Sequence, residues 1–268
     1  KKNEWWEETR NFKKTVKEEY LDINETLAEL ENNSSVIRLE LNTIELPLFS
    51  KDPKRIKNQI KIYHFKTDKS SYLEIEAPAN YSIPGEFEER VFIALTKIMK
   101  NNNYSRSFVV SANEILETLG LSNKAYYKRI REALTLLSKT NYTFLNSLYS
   151  NKESGIIEKK IISSIMNITI ISKKDSRAKE IEAFEDGRIK EVYEINFTDY
   201  FYENIIRKGY LAFDSGKLLA IENSVSRAIY TIVEKWRGYD LYIKRQAFFI
   251  ARRIPLKWDK TQIKRTID

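Results

Sequence analysis

The sequence predicts an α+β chain in which two tandem units, each made of a helix, a turn and a basic helix, follow an N-terminal helix. Three observations predict it. First, the pattern occurs twice. Arg90-Val91-Phe92-Ile93-Ala94-Leu95 opens an apolar helix, a second helix covers 113–119, and Gly120-Leu121 leads into Asn123-Lys124-Ala125-Tyr126-Tyr127-Lys128-Arg129. About 136 residues later come Arg227-Ala228-Ile229-Tyr230-Thr231-Ile232, then 246–254, then Asp259-Lys260-Thr261-Gln262-Ile263-Lys264-Arg265. Second, short alternating apolar runs punctuated by Pro and Gly precede each unit, as strands do. Third, 46 Lys+Arg against 38 Asp+Glu give a net charge of +8, which favours a polyanionic partner.

Taken in order, residues 1–33 read as a helix whose Val16, Tyr20, Ile23, Leu27 and Leu30 form an apolar seam at heptad spacing. That seam serves either packing on its own chain or a dimerisation or partner-binding contact. Strands are expected over 36–41, 44–49, 59–65 and 72–77. Pro84-Gly85 introduces a helix over 86–100 with Val91, Phe92, Leu95, Ile98 and Met99 on one face. Residues 108–110 form a short strand, Ser111 and Glu114 a capping box, and Ser122 the cap of the basic helix to about 138. Alternation over 142–149, a polar turn at 150–155 and a β-rich return over 156–171 complete the order helix, strand, helix, helix, hairpin, which is that of a winged helix-turn-helix. Residues 172–188 are the most polar stretch and read as a hairpin loop or linker. A strand over 192–197, a short helix over 199–207 and a helix over 216–238 follow, with 241–243 as the counterpart of 108–110.

The domains expected are 1–35 (N-terminal helix and polar linker), 36–187 (first winged-helix domain with added strands) and 188–268 (second winged-helix domain). The second copy stops at Asp268 inside its basic helix, so this domain is expected to be truncated.

An α-helix fits the major groove of B-DNA and can present side chains to base edges. On the first basic helix the candidate DNA-binding residues are Asn123, Lys124, Tyr126, Tyr127, Lys128 and Arg131, with Ile130, Leu134 and Leu137 serving the core. A wing at 150–160 would offer Lys152, Lys159 and Lys160 to phosphates. In the second copy Lys260, Thr261, Lys264 and Arg265 match, and Lys244, Arg245, Arg252 and Arg253 precede them.

Other chemistries are poorly served. The chain has no Cys, which excludes disulfides and thiolate metal sites, and a single His, His64, in a strand-like run. No catalytic residue, metal site or cofactor is expected. The pairs Glu7-Glu8 and Glu88-Glu89 project in different directions and read as solvated charge. A stretch of 18 apolar residues is absent, and the expected location is cytoplasmic, away from membranes.

Tyr81-Ser82-Ile83-Pro84 before Glu88-Glu89-Arg90-Val91-Phe92, then Phe197-Thr198-Asp199-Tyr200-Phe201, and Tyr210-Leu211-Ala212-Phe213 before Ser226-Arg227-Ala228-Ile229-Tyr230 resemble plasmid replication initiators with two winged helices, the replication initiator protein A group, over about 44–268. The resemblance implies double-stranded DNA at origin repeats as the ligand and opening of adjacent A·T-rich duplex. It also implies host replication proteins (a helicase or its loader) as partners, and a homodimer in equilibrium with monomer. The alternative is a winged-helix transcription regulator whose residues 210–268 serve dimerisation or effector binding. A nicking or priming enzyme is the reading least supported.

Overall fold

A computed structural model describes residues 35–185, 187–238, 240, 242–245, 250, 253 and 254. The N-terminal seam and the basic helix of the second copy fall outside the described residues.

Helix α2 (Glu86–Asn101) is the centre of the molecule: Val91, Phe92, Ile93, Ala94, Leu95, Ile98 and Met99 are all buried. Packed against it are β1 (Val36–Glu40), α3 (Ala112–Thr118), α4 (Tyr126–Lys139) and α6 (Ser215–Ala220). Its start is set by Glu88, whose carboxylate accepts the Gly85 N–H at 2.6 Å. Strand β4 (Ser107–Ser111) follows, and the Ser111 hydroxyl accepts the Glu114 N–H to start α3 as expected.

The turn between α3 and α4 is a Schellman motif. Leu121 N–H reaches Leu116 C=O at 3.0 Å, Gly120 N–H reaches Glu117 C=O at 2.9 Å, and Gly120 sits at φ 70°. Helix α4 begins at Tyr126, later than expected, and Asn123 rather than Ser122 prepares it. The Asn123 Oδ1 accepts the Ala125 N–H at 2.9 Å.

Two sheets carry the rest of the first unit. One is antiparallel with order β4-β10-β9, from β9 (Met166–Ser172) and β10 (Glu191–Phe197). Phe108, Val110, Tyr193, Ile195 and Phe197 point from it into the main core. Its other face carries Val109, Ile171 and Val192, and the connection from β9 to β10 folds back over them. Two 3-10 turns there, Ser176–Glu180 and Glu182–Phe184, bring Ala178 and Phe184 onto that face as a small separate apolar cluster. The second sheet has order β2-β3-β5-β8, from β2 (Ile60–His64), β3 (Tyr72–Glu76), β5 (Asn141–Leu145) and β8 (Lys160–Ser163). His64 is exposed on β2, edge-on to Tyr72 at 6.0 Å.

Several expectations are corrected. Residues 44–49 are not a strand; α1 (Leu41–Glu45) forms because the buried Glu40 carboxylate caps it through the Thr43 N–H. The expected wing at 150–160 contains only the small ribbon of β6 (Tyr149–Ser150) with β7 (Gly155–Ile156). That ribbon is held to α5 (Asp199–Ile206) by Asn151 N–H to Asn204 Oδ1 at 2.8 Å. The hairpin beside α4 is instead β9–β10, so a boundary at 187/188 would cut it and separate β10 from β4. Residues 216–238 divide into α6 and α7 (Ser224–Arg237), because Asn223 Oδ1 caps a new helix start at Val225 and Ser226. Residues 242 and 243 are irregular and form no strand. Finally, β1 pairs with β11 (Tyr210–Asp214), tying the first described strand to the last.

Candidate nucleic-acid interface

Helix α4 turns Ile130, Ala133, Leu134 and Leu137 into the core. At 3.6 residues per turn this leaves Lys128 and Glu132 outward; both are exposed, as is Lys124 in the turn before the helix. The cations at this end are therefore Lys124, in the turn before α4, and Lys128, in its first turn.

The other candidate residues of this helix hold it in place. Tyr127 donates its hydroxyl to Asn113 Oδ1 on α3 at 2.8 Å. Arg131 reaches Glu191 on β10 at 3.4 Å, with about half its side chain exposed. Tyr126 is half-buried and stacks on Phe87 of α2, ring centroids 6.1 Å apart, while Arg129 lies 4.1 Å over the same ring. Asn123 is exposed but spends its Oδ1 on the turn into the helix. Tyr126, Tyr127 and Asn123 thus position the face formed by Lys124 and Lys128.

Lys152, Lys159 and Lys160 are exposed, but on the β6–β7 turn and on β8, beside α5 and the four-stranded sheet. The β9–β10 connection, which leads into the strand that meets α4 through Glu191 and Arg131, carries further cations: Lys173, Lys174, Arg177, Lys179, Arg188 and Lys190. Arg177 is paired with Glu194 at 3.2 Å, and Lys173 reaches Gly187 C=O at 3.5 Å. Lys174, Lys179 and Lys190 are exposed. The sequence signal that could have found them was the pair of strand-like runs on either side of this polar stretch.

The second group fares differently. Lys244 and Arg245 are exposed, Arg252, Lys260, Thr261, Lys264 and Arg265 lie outside the described residues, and Arg253 is not a free phosphate ligand. Arg253 is half-buried, 3.2 Å from the Glu45 carboxylate, which also takes Lys235 at 2.6 Å and Trp236 Nε1–H at 3.0 Å. Burial raises the Glu45 carboxyl, but these cations and donors outweigh it and hold it below the ordinary carboxylate value.

Arg227 is 1% exposed and donates to Glu89 Oε2 at 2.8 Å and to Ile221 C=O at 2.7 Å. Glu89 also takes Lys51 at 2.5 Å. Burial raises Glu89, yet Lys51 and Arg227 together bring it below its usual value, while burial lowers the Lys51 ammonium. Its neighbour Glu88 pairs with Arg55 at 2.6 Å. The Glu88-Glu89 pair is therefore not solvated charge: its two side chains diverge, and each meets a different cation in the folded chain.

A family model described as replication initiator protein A matches residues 38–242. A crystal structure of selenomethionine derivatives of domains 2 and 3 of RctB superposes with a TM-score of 0.56 at 13% identity, covering 85% of this chain and 82% of that one. A second crystal structure of RctB domains 2–3 gives 0.50 at 12% identity, covering 82% and 78%. No curated protein matches by sequence. Among the described residues, no helix is long and apolar enough to cross a membrane.

Proposed function

The chain belongs to the replication initiator protein A family, and from that premise we propose that it is a non-catalytic initiator that binds double-stranded DNA at origin repeats. The segment from α2 to β10 acts as a winged helix-turn-helix, with α4 in the major groove and the β9–β10 connection as the wing. The observation that carries this reading is the exposed pair Lys124, in the turn before α4, and Lys128, on a helix locked on both sides. Tyr127 and Arg131 secure it to α3 and β10, and Tyr126 and Arg129 secure it to α2. Support comes also from element order, since β4-β10-β9 is the strand order that places a hairpin beside such a helix.

The two lysines reach guanine edges or phosphates, and Lys174, Lys179 and Lys190 meet phosphates on the wing side. Lys260, Thr261, Lys264 and Arg265, the basic residues of the second copy, meet the duplex one helical turn (~34–36 Å) further along. The family's implied partners, host replication proteins and a second copy of the chain, complete the proposal.

Selection of bound duplexes from a random pool, followed by nuclease footprinting of the winner, tests it. Two protected helical turns containing a direct or inverted repeat are expected. A compact palindrome protected over half that length points to the transcription-regulator reading.

A further inference from the structure

Helix α4 has two flanks, and only one belongs to the wing. Tyr127 and Arg131 face α3 and β10, whereas Tyr126 and Arg129 face the start of α2 at Phe87. The next residue after Phe87, Glu88, fastens another segment to that place. Arg55 Nη1 lies 2.6 Å from the Glu88 carboxylate and 3.5 Å from Ile83 C=O. It packs so closely on the helix start that a Cβ at Gly85 would come within 2.9 Å of it. Residues 53–58 are thus laid over the N-terminus of α2, on the side of α4 opposite the β9–β10 hairpin.

This segment is built in at both ends. Asp52 Oδ1 accepts the Lys54 N–H at 2.9 Å, and Lys57 is bridged to Ser82. Asn58 N–H reaches Tyr81 C=O at 2.8 Å, and Asn58 Oδ1 accepts the Asn80 N–H at 2.7 Å. With Arg55 committed to Glu88, the cations left projecting are Lys54 and Lys57, both exposed. Of the acids nearby, Asp52 caps the segment and Glu88 holds Arg55, while Glu86 is exposed at the start of α2.

We infer that Lys54 and Lys57 form a second phosphate-binding lobe, so that α4 enters the major groove between two basic flanks. The inference rests on the proposed DNA-binding reading and deepens it. A major groove is about 12 Å wide and is walled by one phosphate strand on each side. A wing on one flank can secure one wall, and a rigid basic lobe on the other flank secures the opposite wall. Such contacts set affinity and orientation without reading bases.

The test uses the full chain and one defined duplex of about three helical turns, the winner of the random-pool selection. Binding is measured between about 50 and 200 mM salt. Replacing Lys54→Gln and Lys57→Gln together is expected to flatten the slope of log K against log salt by about 1.8, at ~0.9 per phosphate. Hydroxyl-radical protection should weaken on the groove wall opposite the one lost in Lys174→Gln with Lys179→Gln. The Lys54→Arg and Lys57→Arg pair should keep the slope, and thermal melting should match the parent throughout. An unchanged slope and footprint in the glutamine pair, with binding lost in Lys124→Gln plus Lys128→Gln, overturns the lobe and leaves the recognition helix standing. If neither pair alters binding, the DNA-binding reading falls and the lobe with it.

Discussion

Helices α4 and α7 both carry an apolar stripe edged with cations, yet the structure uses those cations in opposite ways. On α4, Lys124 and Lys128 face solvent, and the aromatic and amide residues around them fix the helix to α2 and α3. On α7, Arg227 is buried against Glu89, and Lys235 meets Glu45 on α1. Arg237 is satisfied within its own helix by Glu234. A positive charge is available to a polyanion only where folding brings no acid to it. The excess of +8 is therefore unevenly spendable: the first helix presents charge, and the second uses it to dock.

The largest effect should come from breaking the docking side. Glu89→Ala leaves Lys51 and Arg227 buried beside each other, and a loss of about 3–5 kcal/mol is expected in urea unfolding. The salt slope of DNA binding by the still-folded fraction should not change. If this variant unfolds within about 0.5 kcal/mol of the parent, α7 is not anchored as described.

Next in size is a pH effect that separates two buried acids. Glu40 sits among neutral donors, with Asn42 Nδ2 at 2.6 Å, Asn204 Nδ2 at 2.5 Å and Thr43 N–H at 3.0 Å. Burial pushes its pKa from 4.5 up to about 7, and these hydrogen bonds only partly oppose it. The folded state thus holds a proton that the unfolded state has released. Stability should fall by roughly 3 kcal/mol as pH rises from about 4.5 through about 7, and Glu40→Gln should remove that slope. Glu89 has the opposite sign. Its lowered pKa contributes stability above the ordinary carboxylate range, and that contribution is lost as pH falls through its folded value. Unfolding curves of the two variants against pH should therefore tilt in opposite directions.

A smaller loss is expected at the turn that aims α4. Gly120 adopts φ 70°, and Gly120→Ala should cost about 1–2 kcal/mol, read as a drop in melting temperature. Smallest of all on stability is the exposed face. Lys124→Gln with Lys128→Gln should stay within about 0.5 kcal/mol of the parent. Its DNA-binding salt slope should nevertheless flatten by about 1 for each lysine that meets a phosphate. A stability change larger than that of Gly120→Ala would mean that the α4 lysines are struts like those of α7.

Much of this was readable along the chain because the signals are local. The apolar period of 86–101, the Ser111 cap, the Gly120 turn and the 130, 134, 137 stripe each lie within a few residues of what they determine. The small ribbon within 149–156 and the pairing of β10 across 187/188 are not legible in this way. Strand pairing joins residues far apart: β4 with β10, and β1 with β11. Nothing in 166–172 says that its partner is 191–197 and not an earlier strand, since alternation specifies a face and not a neighbour. The short helix α1 replaces the end of one expected strand and the start of the next, because its buried cap, Glu40, owes its environment to Asn204 on a distant helix.

By itself, the sequence determined the helices around the first basic face, their caps and turn, the net positive charge and the resemblance to replication initiators. These depend on hydrophobic period, side-chain-to-backbone bonds a few residues long, and composition. Only the tertiary structure decided which cations stay free. It folded the 173–190 connection back over the outer face of the β4-β10-β9 sheet, laid 53–58 over the start of α2, and set Arg227 and Arg253 against acids distant in sequence. A charge's partner is set by distance in space, and pairings such as Glu89 with Arg227 span 138 residues of sequence.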